Sequence, residues 1–418
     1  MGLLNFFRRG EPQATSPSSV RSMAGDAAAF NGLNDPALYE FIRNGSGTQT
    51  ESGATVTAKS AMKNTTVIRC VSLISFSIGM LPLHLKRKNG KGNATDHPLF
   101  RLLHRRPNPW QTAFEFRSLM QQRALQHGGA FARKVYSGHK ILYLIPMDPA
   151  RVSVRQKNDW RLEYRFDRGQ GEPLILPQRE VFHLRYGLSE DGINGISLVK
   201  QAAEAIGLAL QAEKAAAVLF RNGLIVGGAL THKGNLSPEA YGRLKESMNE
   251  DSGADGAHKW KILEEGMELK PSNQSNKDSQ AIENRKHQVE EVARPFGVPR
   301  PLLAMDDTSW GSGIDVLGQL FVRYSLNPWF EAWQQAIERD LLTEAEADEF
   351  EAKFNPGALL RGSMTDQAEF FAKALGSGGH QPWMGWQEVR DVMDLPALDQ
   401  APPPPPGLTG KGAGNEPT

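Results

Sequence analysis

Two histidines seven residues apart, His97 and His104, flank a short apolar stretch and are the first place to look for a metal. A transition-metal site needs three or four nitrogen, sulfur or carboxylate ligands converging on one point. Here the neighbours are Arg101, Arg105 and Arg106, and no carboxylate cluster joins them, so the pair reads as surface histidines. Two pairs of adjacent acids, Asp306-Asp307 and Glu264-Glu265, have the chemistry of a general acid and base or of magnesium ligands. In segments of this composition adjacent carboxylates are turn formers and solvated charge. One cysteine, Cys70, excludes an intrachain disulfide, and a Cys-based zinc centre would need several of the ten scattered histidines to converge with it. No phosphate-binding P-loop is present: the nearest string, Gly407-Leu-Thr-Gly-Lys411-Gly412, lacks the four-residue spacing and the hydroxyl residue after Lys. GxSxG, HExxH, CxxC and dinucleotide fingerprints are also missing. The residue types point away from an enzyme, and no cofactor or metal is expected.

The elements that would have to position any site lie in a chain of 418 residues, 39% hydrophobic and 23% charged, with a net charge of +1. That length suits two or three structural units. Near-neutrality conceals a gradient: residues 86–186 hold 20 Lys and Arg against 8 Asp and Glu, whereas residues 338–418 hold 6 against 14. Such asymmetry fits surfaces that meet different partners, one of them polyanionic, or a dispersed set of solvated charges. The start, Met1 to Arg9, carries its charge after its apolar residues and is not a secretory signal; Phe6 stands where a myristoylation motif wants Ser or Thr. The uncharged run Cys70 to Leu85 is too short to span a bilayer and contains Pro82, so a buried helix is expected and no membrane partner.

Residues 8–56 are rich in Gly, Ser, Thr, Asn and Pro, and the last eighteen pass through Pro402–Pro406 into a Gly-rich end, so both termini are predicted to be mobile. Between them the periodicity predicts a helix from Thr57 to Leu81, a basic strand from Leu83 to Lys88 and a helix from Thr112 to Gln126. A mostly antiparallel β unit follows, with strands Ala130–Tyr136, Ile141–Ile145, Arg151–Gln156, Arg161–Phe166 and Val181–Tyr186. Ser197 then caps an Ala-rich helix running to Asn222, a slender rod about 37 Å long that can pack closely on more than one side. A small α/β insert of strands Ile225–Thr231, Lys259–Leu263 and Met267–Lys270 with a helix from Ser237 to Met248 separates it from a second helix, Asp278 to Phe296. That helix has an apolar stripe of Ile282, Val289, Val292, Ala293 and Phe296, with Glu283, His287, Glu290, Glu291 and Arg294 on its other side. Residues 297–313 read as a long loop, and the helix from Ile314 to Leu342 is expected to kink at Pro328.

This ordered string resembles the HK97-type portal protein family of tailed bacteriophages over residues 57–398. The segments that carry it are Gly195-Ile-Ser-Leu-Val with the Ala-rich helix ending Leu219-Phe-Arg-Asn-Gly223, then Ile262-Leu-Glu-Glu-Gly266-Met-Glu-Leu-Lys270-Pro. Next come Arg285-Lys-His-Gln-Val-Glu-Glu-Val-Ala293-Arg-Pro-Phe-Gly-Val-Pro299-Arg-Pro-Leu-Leu303 and Phe321-Val-Arg-Tyr-Ser-Leu-Asn-Pro328-Trp. Glu338 to Leu342, Leu359-Leu-Arg361 with Asp366, and Trp386-Gln-Glu-Val-Arg390 complete the set. One departure concerns the start of the long helix, where family members commonly carry Ser-Asn and this chain has Thr308-Ser309-Trp310-Gly311-Ser312-Gly313-Ile314-Asp315.

The resemblance implies an α+β portal fold, assembled as a ring of about twelve copies, with no bond chemistry of its own. It divides the chain into a mobile N-terminal segment (1–56), a wing with the β-rich unit (57–197), a first stem helix (198–223), a clip (224–271) and a second stem helix (272–296). A tunnel loop (297–313), a long wing helix (314–343), a short crown (344–398) and a disordered tail (399–418) follow. It further implies double-stranded DNA in an axial channel, driven by the terminase large subunit, with a head–tail adaptor and the major capsid protein as further partners. The chain would reside at a capsid vertex in the virion, after assembly in the host cytoplasm; a phage, a prophage or a gene transfer agent would each use such a protein. Carried onto this sequence, Arg300, Asp306, Asp307, Ser309 and Trp310 in the loop and Glu283, His287 and Arg294 on the stem would line the channel. Glu239, Arg243, Lys245 and Glu246 would face terminase and adaptor from the clip. Two rival classes are a metal-dependent nuclease using Asp306 and Asp307, and a membrane-associated scaffold using residues 70–85.

Overall fold

The computed structural model describes residues 47–89, 92–222, 229–231, 238–239, 241–242, 268–270, 275–305, 314–355, 364–379, 381–393, 395, 398 and 400. The described chain begins with a hairpin, β1 (Thr48–Gln49) and β2 (Thr55–Val56). Composition predicts mobility through residue 56, yet these last ten residues are pinned. Thr50 is buried against Gly207, where an added Cβ would lie 2.5 Å from the Thr hydroxyl, and the Glu51 amide donates to Glu204 at 3.1 Å.

The helix expected from Thr57 is two helices, α1 (Ala58–Ala61) and α2 (Thr65–Met80), because the Asn64 side chain accepts from the amides of Thr66 and Val67 and so starts a new helix. Cys70, Ile74 and Ile78 are buried on α2, and burial pushes the Cys70 thiol up to about 12. Among the described residues no helix is long and apolar enough to cross a membrane. Strand β3 (Leu83–Arg87) leads to α3 (Pro98–His104), an element the sequence pattern did not reveal. His97 caps it, its Nδ1 accepting from the Leu99 amide at 3.2 Å while Nε2 sits 3.1 Å from Glu346. It is therefore a tucked-in capping residue and not the surface histidine expected; His104 is exposed and stacks on Phe100.

Helix α4 (Ala113–His127) opens with a capping box between Thr112 and Glu115 and closes on Gly128, whose φ of 84° and contact with Gly195 exclude any side chain. Two three-stranded antiparallel sheets follow. One has the order β5 (Lys140–Met147), β4 (Gly129–Ser137), β9 (Val181–Arg185), and the other β6 (Val152–Gln156), β7 (Leu162–Phe166), β8 (Leu174–Pro177). Four of the five expected strands keep their places within a few residues. The fifth loses Arg151 to a short 3₁₀ turn, and β8 is additional.

The Ala-rich rod is stepped: α5 (Leu198–Gln201) and α6 (Ala203–Asn222) are separated at Ala202, whose φ of −86° and ψ of 7° leave helical geometry. Beyond α6 come two short antiparallel strands, β10 (Ala229–Thr231) and β11 (Glu268–Lys270), and then α7 (Ser275–Ala293), which packs on both α6 and α2. Of the helix expected from Ser237 to Met248, residues 238, 239, 241 and 242 are described and helical, and the strand expected at Lys259–Leu263 lies outside the described residues. The segment after α7 is not all loop, since 3₁₀ turns occupy Arg294–Phe296 and Arg300–Leu303.

The long helix is α8 (Ile314–Phe321), a π-helical turn (Val322–Leu326) and α9 (Asn327–Leu341). The irregularity precedes Pro328, which sits in the first turn of α9 where a missing N–H matters least. After α10 (Glu344–Glu349), strand β12 (Phe350–Phe354) pairs antiparallel with β3, placing Phe354 opposite Leu83. Within the expected crown, Phe350, Ala352 and Phe354 are buried in the principal core. Helices α11 (Met364–Ala374) and α12 (Trp386–Val392) complete the described chain.

Candidate nucleic-acid interface

Helix α7 is anchored at its C-terminal end. Val292, Ala293, Phe296 and Val298 are buried, while residues 283–287 upstream are exposed. At 3.6 residues per turn, Glu283, His287, Glu290, Glu291 and Arg294 fall within about a third of the helix circumference, so they form one polar face. The predicted basic channel residues on and beside this face are already partnered. Arg294 donates to Glu291 at 2.6 Å, His287 lies 3.7 Å from the same carboxylate, and Arg300 reaches back to Glu290 at 3.1 Å. The i+3 and i+4 spacings of Glu291 to Arg294 and His287 were visible in the sequence, but the Arg300–Glu290 pair depends on the turn at Gly297, where φ is 67°.

A face of compensated charges has a specific consequence for a polyanion. Each phosphate neutralised by a free cation adds salt-dependent affinity. With Glu291 holding Arg294 and Glu290 holding Arg300, this face of α7 offers polar contact with little net attraction. Of the remaining expected residues, Glu239 is exposed. Asp306, Asp307, Ser309 and Trp310 in the loop, and Arg243, Lys245 and Glu246 in the clip, lie outside the described residues. Among the described residues no group of three or more His, Cys, Asp and Glu could hold a metal ion.

Several motif residues act by fixing the elements that carry this face. Ser197 caps α5 and donates to the Gln126 carbonyl, and Leu198 and Val199 beside it are buried. Ser325, in the π turn, donates to the Gly297 carbonyl and so ties the long helix to the turn after α7. Two further locks have no signature in the sequence. Arg117, buried in α4, donates to the carbonyls of Leu103 and Gly79 at 2.7 Å and of Leu81 at 3.3 Å, which close the ends of α3 and α2. Burial lowers its pKa to about 10, leaving it charged at neutral pH. Asp340 accepts from the His183 amide at 2.9 Å and from Arg339 at 2.7 Å, joining α9 to β9.

The family profile described as phage portal protein matches residues 65–394, most of the chain. The chain belongs to the phage portal protein family. It is 32% identical to the portal protein of Enterobacteria phage HK97 over 351 residues, covering 82% of this chain and 80% of that one. It is 31% identical to the probable portal protein of Streptomyces phage phiC31, covering 87% and 80%. The portal fold is also seen in a solved neck of an empty gene transfer agent particle (TM-score 0.59, 22% identity, 82% of this chain and 94% of that one). A crystal structure of an HK97 family portal protein from Corynebacterium diphtheriae shares it too (TM-score 0.52, 20% identity, 73% and 98%). The α+β fold is thus a portal fold, and the chain's function is that of a portal protein at the capsid vertex.

Proposed function

We propose that this portal protein assembles as a closed ring of about twelve subunits whose axial channel carries double-stranded DNA, driven inward by the terminase large subunit and released later through a head–tail adaptor. The observation that carries this reading is the family match spanning residues 65–394. The geometry supports it. Two helices, α6 and α7, pack against each other, and an antiparallel pair of short strands lies between them in the chain, the arrangement expected of a stem bearing a clip. The compensated polar face of α7 suits a wall past which DNA must slide without adhering. In this reading the protein is structural, resides in the particle at the vertex with the major capsid protein around it, and meets its motor in the host cytoplasm.

The stem runs through α5, α6 and α7, the clip through residues 224–271 and the tunnel loop through residues 297–313. Glu283, His287, Arg294 and Arg300 line the channel with Asp306, Asp307, Ser309 and Trp310, and Glu239, Arg243, Lys245 and Glu246 face the motor and adaptor. The test is packaging in particles assembled with and without the chain, read as DNA protected from nuclease. Particles without it should hold none, the full chain should restore it, and a chain with 306–313 replaced by a Gly-Ser linker should form rings that package poorly. Equal protection with and without the chain would refute the reading.

A further inference from the structure

The hairpin joining β6 to β7 displays a tryptophan where a glycine would be at ease. The Lys157 amide donates to the Arg161 carbonyl at 2.9 Å and the Trp160 amide to the Lys157 carbonyl at 3.0 Å, which closes a three-residue loop. The last position of such a loop is left-handed and favours Gly. Here it is Trp160, with φ of 64°, one of two non-glycine residues with positive φ among the described residues. A bulky side chain in this region is strained. Packing within the chain does not offset it: Trp160 is 80% exposed.

The surroundings are basic and incompletely neutralised. Arg155 and Arg165 are exposed on the outer face of the sheet, Arg165 opposite the exposed Ile175. Beneath the hairpin a cleft of about 480 Å³ runs toward Arg179 and the Arg339–Asp340 lock. Its carboxylates are engaged, Glu163 with Lys157 at 3.6 Å, Asp340 with Arg339 at 2.7 Å and Asp159 with the Arg161 amide at 3.2 Å. Among the described residues Arg155, Arg161, Arg165 and Arg179 form no ion pair.

We propose that this hairpin and its cleft dock an acidic segment of a partner protein, with Trp160 as the anchor. Exposed Trp and Arg together are the composition of a protein-binding hot spot. Asp159, Glu163 and Asp340 lie interleaved among the cations. They would oppose the unbroken charge of duplex DNA, about one per 1.7 Å of axis, whereas the spaced carboxylates of a polypeptide can avoid them. The inference stands on the hairpin's own geometry and does not depend on the ring.

The test uses the full chain and two probes, a fluorescent random copolymer of Glu and Tyr and a duplex DNA of mixed sequence. Trp160→Gly relieves the strained backbone, so its unfolding midpoint should equal or exceed that of the parent. Its affinity for the copolymer should nonetheless fall about tenfold, as should that of Arg161→Glu. Duplex binding should not change in Trp160→Gly. Undiminished copolymer binding by folded Trp160→Gly would overturn the proposal. So would a parallel loss of duplex binding in both variants, which would make the surface a nucleic-acid site.

Discussion

The body around α2 and α4 and the proposed stem helix α7 are held in place by different physics. In the body, side chains such as Ile74, Met120 and Trp333 are almost wholly buried, and a charged residue, Arg117, is buried with them because backbone carbonyls surround it. On α7 full burial is confined to the last turn and the 3₁₀ segment after it; residues 288–291 are half-buried, with Glu290 and Glu291 ion-paired, and residues 283–287 are exposed. Its neighbour α6 behaves likewise. Ala203, Ile206 and Ala209 are buried near the body, whereas Leu208 and Val218 remain exposed at 52% and 39%. The lesson is that a single chain completes its body but leaves its stem uncovered, as expected of a subunit whose helices find further neighbours in a ring.

Substitutions can break this contrast, and the largest effects should fall in the body. Trp333 is 1% exposed and donates to Gln121 at 2.9 Å. Trp333→Ala should cost about 3–5 kcal/mol in urea unfolding. Removing Arg117 strands three buried carbonyls, and Arg117→Ala should cost about 2–4 kcal/mol, measured in the same way. A smaller loss by Arg117→Ala than by any exposed stem substitution would undo the contrast.

Acid should act on the body as well. Burial, with the nearby Arg339 and Arg185, holds His183 down to about 3, against 6.5 for the free side chain. The unfolded chain therefore takes up this proton first. The stability owed to neutral His183 is complete above about pH 6.5 and declines as pH falls toward 3, by up to about 1.4 kcal/mol per pH unit. Unfolding midpoints measured from pH 7 to 4 should show this slope, and His183→Gln should flatten it.

The stem should respond least in stability and most in binding. Glu290→Gln with Glu291→Gln removes exposed ion pairs and should change stability by less than about 1 kcal/mol. It also frees Arg294 and Arg300, so duplex DNA should bind the double variant more tightly at low salt, with a steeper salt dependence by filter binding.

Legibility in the sequence divides along the same line. Period gave α4 to within a residue at each end, Thr112 to Gln126 against Ala113–His127, and alternation gave most of the two sheets. The features that stayed hidden depend on contacts between distant segments. The β12 strand has five residues and is specified by its partner β3, more than two hundred residues earlier, and His97 became a cap only because Glu346 holds its other nitrogen. On the candidate interface, the polar face of α7 could be read from spacing. Its compensation by Glu290 could not, because the turn at Gly297 brings Arg300 back to it.

The central claim is that copies of the chain close into a ring, with the proposed stem helices around its channel. The most direct measurement is the native mass of the full chain, purified without detergent and also released from assembled particles, with end-on electron micrographs of both samples. The account predicts a single closed species of about twelve subunits with a central hole. A monomer or a two-fold dimer in the material released from particles would contradict it.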